Sequence, residues 1–250
     1  MLDPRRRFTR LILATLAAPL ALAACSSEDA GTANGEPIAD VAAPEGSSWS
    51  QQAVRSEAGG WLVGNPDAPI KLIEYGSLTC PTCARFSIDS KSALFENYVN
   101  SGRVSFELRS TIIHGVVDLL LTRMLECAPV NVAVPLADQV WENLDTVTAP
   151  FSANQAALEQ AFELPEDQRF VAMAQAGGLV DFFAARGISA EQAQVCLADA
   201  PAVMTLAETT QAAATEDNVT GTPTFFLNGV RLDGTSWSIV EPALQAAGAR

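Results

Sequence analysis

The pattern of apolar and polar positions predicts a strand, a helix and a second strand in the first half of the chain. Residues 70–75 form a short apolar run rich in strand-forming side chains. From Pro81 onward, large apolar side chains recur at helical intervals, and Asn100-Ser101-Gly102 is expected to end the helix. Residues 103–109 then alternate between apolar and polar, which predicts a strand with one buried face. Two strands joined by a helix within ~40 residues form a βαβ unit, so we expect these strands to be parallel.

The second half of the chain is predicted to be mostly helical. Residues 116–215 consist of short alanine-rich segments with helical periodicity, separated by proline and glycine, and Ser189 is expected to cap one of these helices. A strand pattern returns at residues 222–227, where Asn228-Gly229 predicts a two-residue hairpin turn. A helix follows at residues 236–247. The predicted order is therefore β-α-β, an inserted helical subdomain, and β-β-α.

The N-terminal segment has the pattern of an export signal. Residues 1–24 contain an arginine-rich start and a 14-residue apolar stretch, which is too short for a permanent membrane helix. The sequence Leu22-Ala23-Ala24-Cys25 resembles the lipobox of bacterial lipoproteins, which implies that Cys25 is diacylated and anchors the chain to a membrane. The alternative to lipidation is ordinary signal-peptide cleavage after Ala24, which would leave Cys25 as a free cysteine. The arginines fit either Sec or twin-arginine export. Residues 25–50 are small and polar, and we expect them to form a disordered tether.

Charge excludes one class of partner. The formal net charge is -14, and it becomes -17 without residues 1–24, which carry four arginines and one aspartate. A chain this acidic repels phosphates, so no nucleic-acid partner is expected.

The cysteine count fits an exported protein, because disulfides persist outside the cytoplasm. Apart from Cys25, the chain has Cys80, Cys83, Cys127 and Cys196, which allow three pairings. The closeness of Cys80 and Cys83 in sequence favours a bridge between them and leaves Cys127 with Cys196. The second bridge is expected to be structural.

The motif Cys80-Pro81-Thr82-Cys83 lies between the first strand and the following helix. At the start of a helix, unpaired N–H groups and the positive end of the dipole favour the thiolate form of a cysteine. Pro81 suits the first helical position, and Cys83 lies one turn later on the same face. The motif therefore predicts a redox-active dithiol. A structural disulfide and half of a zinc site are the alternatives, but zinc would need two further ligands, and the only histidine, His114, has no identifiable partner.

Together these features resemble the DsbA-like thiol:disulfide oxidoreductases, a thioredoxin-fold family with a helical insertion. The resemblance depends on the C-P-T-C motif after a strand, on the segment from Gly221 to Phe226, and on the helical insertion. It implies an α/β thioredoxin-like domain formed by residues 51–115 and 216–250, interrupted by the insertion at residues 116–215.

The resemblance also implies roles for particular residues. Cys80 would be the nucleophile that forms a mixed disulfide with a client protein, and Cys83 would be the buried cysteine that resolves it. Pro223 would be a cis-proline that faces the C-P-T-C loop, with backbone groups of Thr222 pairing with the bound peptide. Glu74 would be a buried acid that assists proton transfer. No cofactor and no metal are expected.

The expected function is thiol:disulfide exchange with cysteine-containing exported proteins in the periplasm. The resemblance implies an enzyme that donates its disulfide and is reoxidised by a quinone-linked thiol oxidase in the membrane. Thr82 departs from the strongly oxidising members, which have a histidine there, so a reductase of the same fold is an alternative. The second alternative is a non-enzymatic lipoprotein that only holds client proteins and in which both disulfides are structural.

Overall fold

The structure is a computed structural model that describes residues 35–250. The predicted signal peptide of residues 1–24 and the predicted lipidation site Cys25 lie outside the described residues. Across the part that is described, none of the helices combines the length and the apolar composition that crossing a membrane requires.

Residues 35–50 pack on the folded domain, so the prediction of a disordered tether is wrong for this part of the segment. The N–H of Ile38 donates to the carbonyl of Gly248 (3.0 Å), and the N–H of Val41 donates to that of Ser101 (2.8 Å). The indole N–H of Trp49 donates back to the Val41 carbonyl at 2.7 Å. Although the segment has a low average hydrophobicity, its apolar residues Ile38 and Trp49 pack against the core. The average composition therefore does not predict that the segment is ordered.

Within residues 35–250, six strands form one sheet in the order β1-β2-β4-β3-β5-β6. They are β1 (Ala53–Arg55), β2 (Trp61–Gly64), β3 (Ile70–Gly76), β4 (Val104–Ser110), β5 (Thr224–Leu227) and β6 (Val230–Arg231). Strands β3 and β4 are parallel, as predicted, and the other neighbours are antiparallel. The predicted hairpin turn joins β5 to β6, and both its residues have positive φ (Asn228 50°, Gly229 81°).

The prediction that β4 has one buried face is wrong, because both of its faces are covered. Ser105 and Glu107, on the face that alternation assigns to solvent, are only 2% and 7% exposed. The hydroxyl of Ser56 donates to the Glu107 carboxylate at 2.5 Å, and Arg109 pairs with the same group at 2.7 Å. The charged Glu107 is therefore buried together with the partners that pair with its carboxylate.

Ten helices complete the part of the chain between residues 35 and 250. They are α1 (Pro81–Ala93), α2 (Val116–Glu126), α3 (Val130–Glu142), α4 (Leu144–Ala153), α5 (Gln155–Phe162), α6 (Glu166–Ala176), α7 (Leu179–Ala184), α8 (Ala190–Ala198), α9 (Ala200–Glu216) and α10 (Trp237–Ala246). Helix α1 continues as a π-helical turn over Leu94–Val99. Helices α2–α9 form the insertion, and Ser189 caps α8 as predicted, accepting a hydrogen bond from the Gln192 N–H at 3.2 Å. The predicted α/β fold with a helical insertion is confirmed.

Candidate active site

Cys80 is the N-cap of α1, at the carboxyl end of β3. Its sulfur accepts a hydrogen bond from the Cys83 N–H at 3.4 Å, and Pro81 occupies the first helical turn. Both cysteines are free thiols. Cys83 is fully buried, whereas Cys80 is 5% exposed. An attacking group from another protein can therefore reach only the first of the two sulfurs.

The two thiols have opposite acidities. The hydrogen bond from Cys83 outweighs the effect of burial and, with backbone N–H groups of the first helical turn, lowers the pKa of Cys80 to about 5. Burial, followed by the hydrogen bond to Cys80, raises the pKa of Cys83 well above its ordinary value. One sulfur is thus a thiolate at neutral pH and its neighbour stays protonated.

The Thr222–Pro223 peptide bond is cis and lies beside Cys80. The Cys80 sulfur lies 3.3 Å from the Thr222 carbonyl oxygen, to which it donates a hydrogen bond in its protonated form. Strand β5, which begins at the next residue, pairs with β3, and this pairing brings the two loops together. The predicted residues Cys80, Cys83, Thr222 and Pro223 therefore meet at one end of the sheet, although they come from distant parts of the sequence.

Glu74 lies on β3 and is 1% exposed. Its Oε1 atom has no hydrogen-bond partner within the described residues. Burial, and then the nearby negative charges of Asp138 and Cys80, raise the pKa of Glu74 well above its usual range. Burial therefore favours the protonated form of the carboxyl group, and its carboxylate form lies close enough to Cys83 for the charge to raise the pKa of that thiol too.

Asp118 supports the active-site loop and was not singled out by the sequence. Its fully buried carboxylate accepts hydrogen bonds from the Ser77 hydroxyl (2.9 Å) and from the N–H (3.1 Å) and hydroxyl (2.9 Å) of Thr79. It also accepts from the N–H groups of Ile113 (3.0 Å) and His114 (2.8 Å). One carboxylate thus joins the loop before Cys80 to the segment that leads into the insertion. No sequence signal marks it, because its partners are brought together only by the fold.

His114 has partners that the sequence did not reveal. Its Nδ1 lies 2.6 Å from the hydroxyl of Thr79, the residue before Cys80, although about half of the side chain is exposed. The indole N–H of Trp141, on α3, also donates a hydrogen bond to the Ser77 carbonyl in this loop, at 3.0 Å. The loop that presents Cys80 is therefore held by side chains of the insertion as well as by β3.

Among the described residues, the other two cysteines form a disulfide that joins the end of α2 to α8. The Cα atoms of Cys127 and Cys196 are 6.0 Å apart, and 69 positions separate them in sequence. The Arg123 guanidinium donates to the Cys196 carbonyl at 3.1 and 3.2 Å, so the same two helices are also linked by hydrogen bonds. Among residues 35–250, no group of three His, Cys, Asp or Glu side chains is arranged to hold a metal ion.

Comparison with known proteins places this geometry among thioredoxin-like proteins. A family model described as thioredoxin matches residues 56–246. A Rickettsia bellii protein that is named as a protein-disulfide oxidoreductase is 25% identical over 187 residues, or 74% of this chain. The chain spans only 63% and 61% of the length of the two curated relatives that it matches over this range.

Two solved structures extend the comparison to three dimensions. A protein-disulfide isomerase from Novosphingobium aromaticivorans superposes with a TM-score of 0.66 at 29% identity, covering 74% of this chain and 95% of that one. Alpha-DsbA1 from Wolbachia pipientis shares the fold, with a TM-score of 0.58 at 18% identity, covering 75% and 90% of the two chains. These similarities confirm the thioredoxin-like fold that the sequence predicts.

Proposed function

Because the chain belongs to the thioredoxin family, we propose that it is a DsbA-like thiol:disulfide oxidoreductase that acts through Cys80 and Cys83. The observation that carries this proposal is the opposite acidity of the two thiols. A low pKa makes Cys80 a nucleophile and a good leaving group, whereas a high pKa makes Cys83 retain its proton until the disulfide closes.

In the donating direction, a client thiolate attacks the Cys80 sulfur of the Cys80–Cys83 disulfide. The bond between the client and Cys80 forms, the bond between the two enzyme sulfurs breaks, and Cys83 leaves with the electron pair. Glu74, whose protonated form is favoured by burial, supplies the proton that neutralises Cys83. A second client thiolate then attacks the client sulfur and displaces Cys80 as a thiolate. The client has lost two electrons and the enzyme has gained them.

The client is expected to bind across the Thr222–Pro223 loop. The Thr222 carbonyl faces the Cys80 sulfur at 3.3 Å, so a peptide that pairs with the backbone of Thr222 passes directly over that sulfur. Cysteine-containing exported proteins are the substrate class that this arrangement suits.

The enzyme is proposed to work in the periplasm as an oxidase, attached to a membrane through an acylated Cys25 and reoxidised by a quinone-linked membrane thiol oxidase. A stabilised Cys80 thiolate supports this direction, because it favours the reduced enzyme and raises the potential. The uncharged Thr82 favours the alternative of a reductase. Replacement of Cys25 by alanine should release the protein from membrane fractions; unchanged membrane association would contradict the anchor.

A redox titration against glutathione decides between these directions. We expect a potential more positive than about -180 mV, because the low pKa of Cys80 stabilises the reduced form. In the Thr82→His variant a positive charge is added beside the thiolate, so the potential should rise further. A potential of about -270 mV, the value of thioredoxin, would instead indicate that the protein is a reductase.

A further inference from the structure

The proton held by Glu74 has no direct route to solvent. The side chain is 1% exposed, and the Cys83 thiol that it serves is fully buried. Each closing or opening of the proposed Cys80–Cys83 disulfide nevertheless requires one proton to leave or reach the neighbourhood of Cys83. A group that connects Glu74 to the surface is therefore needed for repeated turnover.

A small cavity between β3, α1 and α3 supplies such a connection. Its volume is about 10 Å³, and its polar lining includes Glu74, Ser87, Ser90, Lys91 and Asp138. This is roughly the space that the centre of one water molecule occupies. The Oε1 atom of Glu74 has no hydrogen-bond partner among the described residues. The carboxyl group lines this cavity, so it can exchange a hydrogen bond with a water molecule there.

Asp138 lines this cavity and is also partly exposed to solvent. It belongs to α3, in the helical insertion, and it is half-buried. The Ser87 hydroxyl, one turn beyond Cys83 on α1, donates to its carboxylate at 2.6 Å and fixes its orientation. Burial raises the pKa of Asp138 to about 6, while Ser87 and Lys91 act in the opposite direction. The group can therefore gain and lose a proton near neutral pH.

We propose that Asp138 is the outer proton-transfer residue of the active site, exchanging protons with Glu74 across the cavity and with solvent on its other side. The inference rests on the proposed function. When the Cys83 thiol attacks Cys80 in a mixed disulfide, the bond between the two enzyme sulfurs forms and the client leaves as a thiolate. Glu74 passes its proton to the Asp138 carboxylate and takes the Cys83 proton in its place, and Asp138 then releases its proton to water. In the donating direction each transfer runs in reverse.

Besides Asp138, two titratable side chains line the cavity. Glu74 lines it from β3 and Lys91 from α1, whereas β4 contributes only the apolar Phe106. Lys91 also pairs with Glu142 of α3, so its positive charge is partly neutralised at the mouth of the cavity. Because the closing step needs Asp138 as a carboxylate, its rate should rise with pH through about 6.

The test uses the reduced protein and an aromatic disulfide that releases a coloured thiolate, followed by stopped-flow absorbance. The first release reports attack by Cys80, and the second reports closure by Cys83. In Asp138→Asn the second phase should slow about tenfold at pH 7 and lose its rise near pH 6, while the first phase keeps the wild-type rate. The matched control is Asp145→Asn, an exposed carboxylate on α4, which should match the wild type in both phases.

The outcomes separate this inference from the function that it depends on. A wild-type second phase in Asp138→Asn, together with a slowed one in Glu74→Gln, would overturn the role of Asp138 and leave the oxidoreductase intact. A wild-type protein that releases no second thiolate would contradict the proposed function itself. If Asp138→Asn does not fold, Ser87→Ala serves instead: it frees the carboxylate from its hydrogen bond and should slow the second phase about threefold. An unchanged second phase in that variant would also overturn the proposal.

Discussion

The Cys80→Ser variant is expected to lose disulfide exchange, with a fall in rate of about a thousandfold or more. Cys80 is the one sulfur of the pair with any exposure and with a lowered pKa, whereas Cys83 is fully buried and protonated. Serine keeps the shape of the side chain, but its hydroxyl is a far weaker nucleophile and cannot form a mixed disulfide. Oxidative refolding of a reduced, disulfide-containing client measures the loss.

Cys83→Ser should behave differently from Cys80→Ser. It can still form the mixed disulfide through Cys80 but has no thiol to resolve it, so complexes with clients should accumulate and should disappear on reduction. Non-reducing electrophoresis of cell extracts reveals them. As a control, Cys80→Ser/Cys83→Ser should trap nothing. Equal trapping by the single and the double variant would show that Cys80 is not the attacking sulfur.

Removal of the Cys127–Cys196 bridge should lower the free energy of unfolding by about 3–5 kcal/mol. The bridge closes a separation of 69 residues, and in the chain-entropy model a crosslink this long greatly restricts the unfolded chain. Urea unfolding of Cys127→Ala/Cys196→Ala measures the loss. Exchange through Cys80 should persist under conditions in which the variant is folded, because the bridge joins α2 to α8 and contributes no atom to the active-site loop.

The control for this prediction is Val195→Ala. Its side chain is 75% exposed beside Cys196 on the same helix, so its free energy of unfolding should stay within about 0.5 kcal/mol of the wild type. A loss of less than about 1 kcal/mol in the double cysteine variant would contradict a stabilising role for the bridge. Loss of exchange in a folded double variant would instead connect the bridge to the chemistry.

Features that depend on neighbouring residues could be predicted from the sequence. The strand pattern before Cys80 and the helical pattern after it place the C-P-T-C motif at a helix N-terminus, because both signals are local. The Asn228-Gly229 turn is equally local, since two successive positive φ angles are tolerated by few residue pairs. The pairing of Cys127 with Cys196 followed from counting, and the place of Pro223 opposite Cys80 from a family resemblance.

Features that depend on the packing of distant segments could not be predicted. Asp118 is one acidic residue in a helical pattern, and nothing nearby in sequence shows that Ser77 and Thr79 donate to it. The burial of Glu107 needs Ser56 and Arg109 as partners, and alternation alone assigned it to solvent. The order of residues 35–50 depends on contacts with the far end of the chain, which composition does not report.

The proposed chemistry requires an acidic Cys80, and a pH titration of thiolate absorbance in the reduced protein measures this acidity most directly. We predict a midpoint at about pH 5. Since this pKa lies below that of an unfolded thiol, about 8.5, the contribution of Cys80 to the stability of the reduced form, measured against Cys80→Ser, should increase as the pH rises from about 5 to 8.5 and be lost again on acidification. A single midpoint at about 8.5, the value of an ordinary free cysteine, would contradict the proposed chemistry.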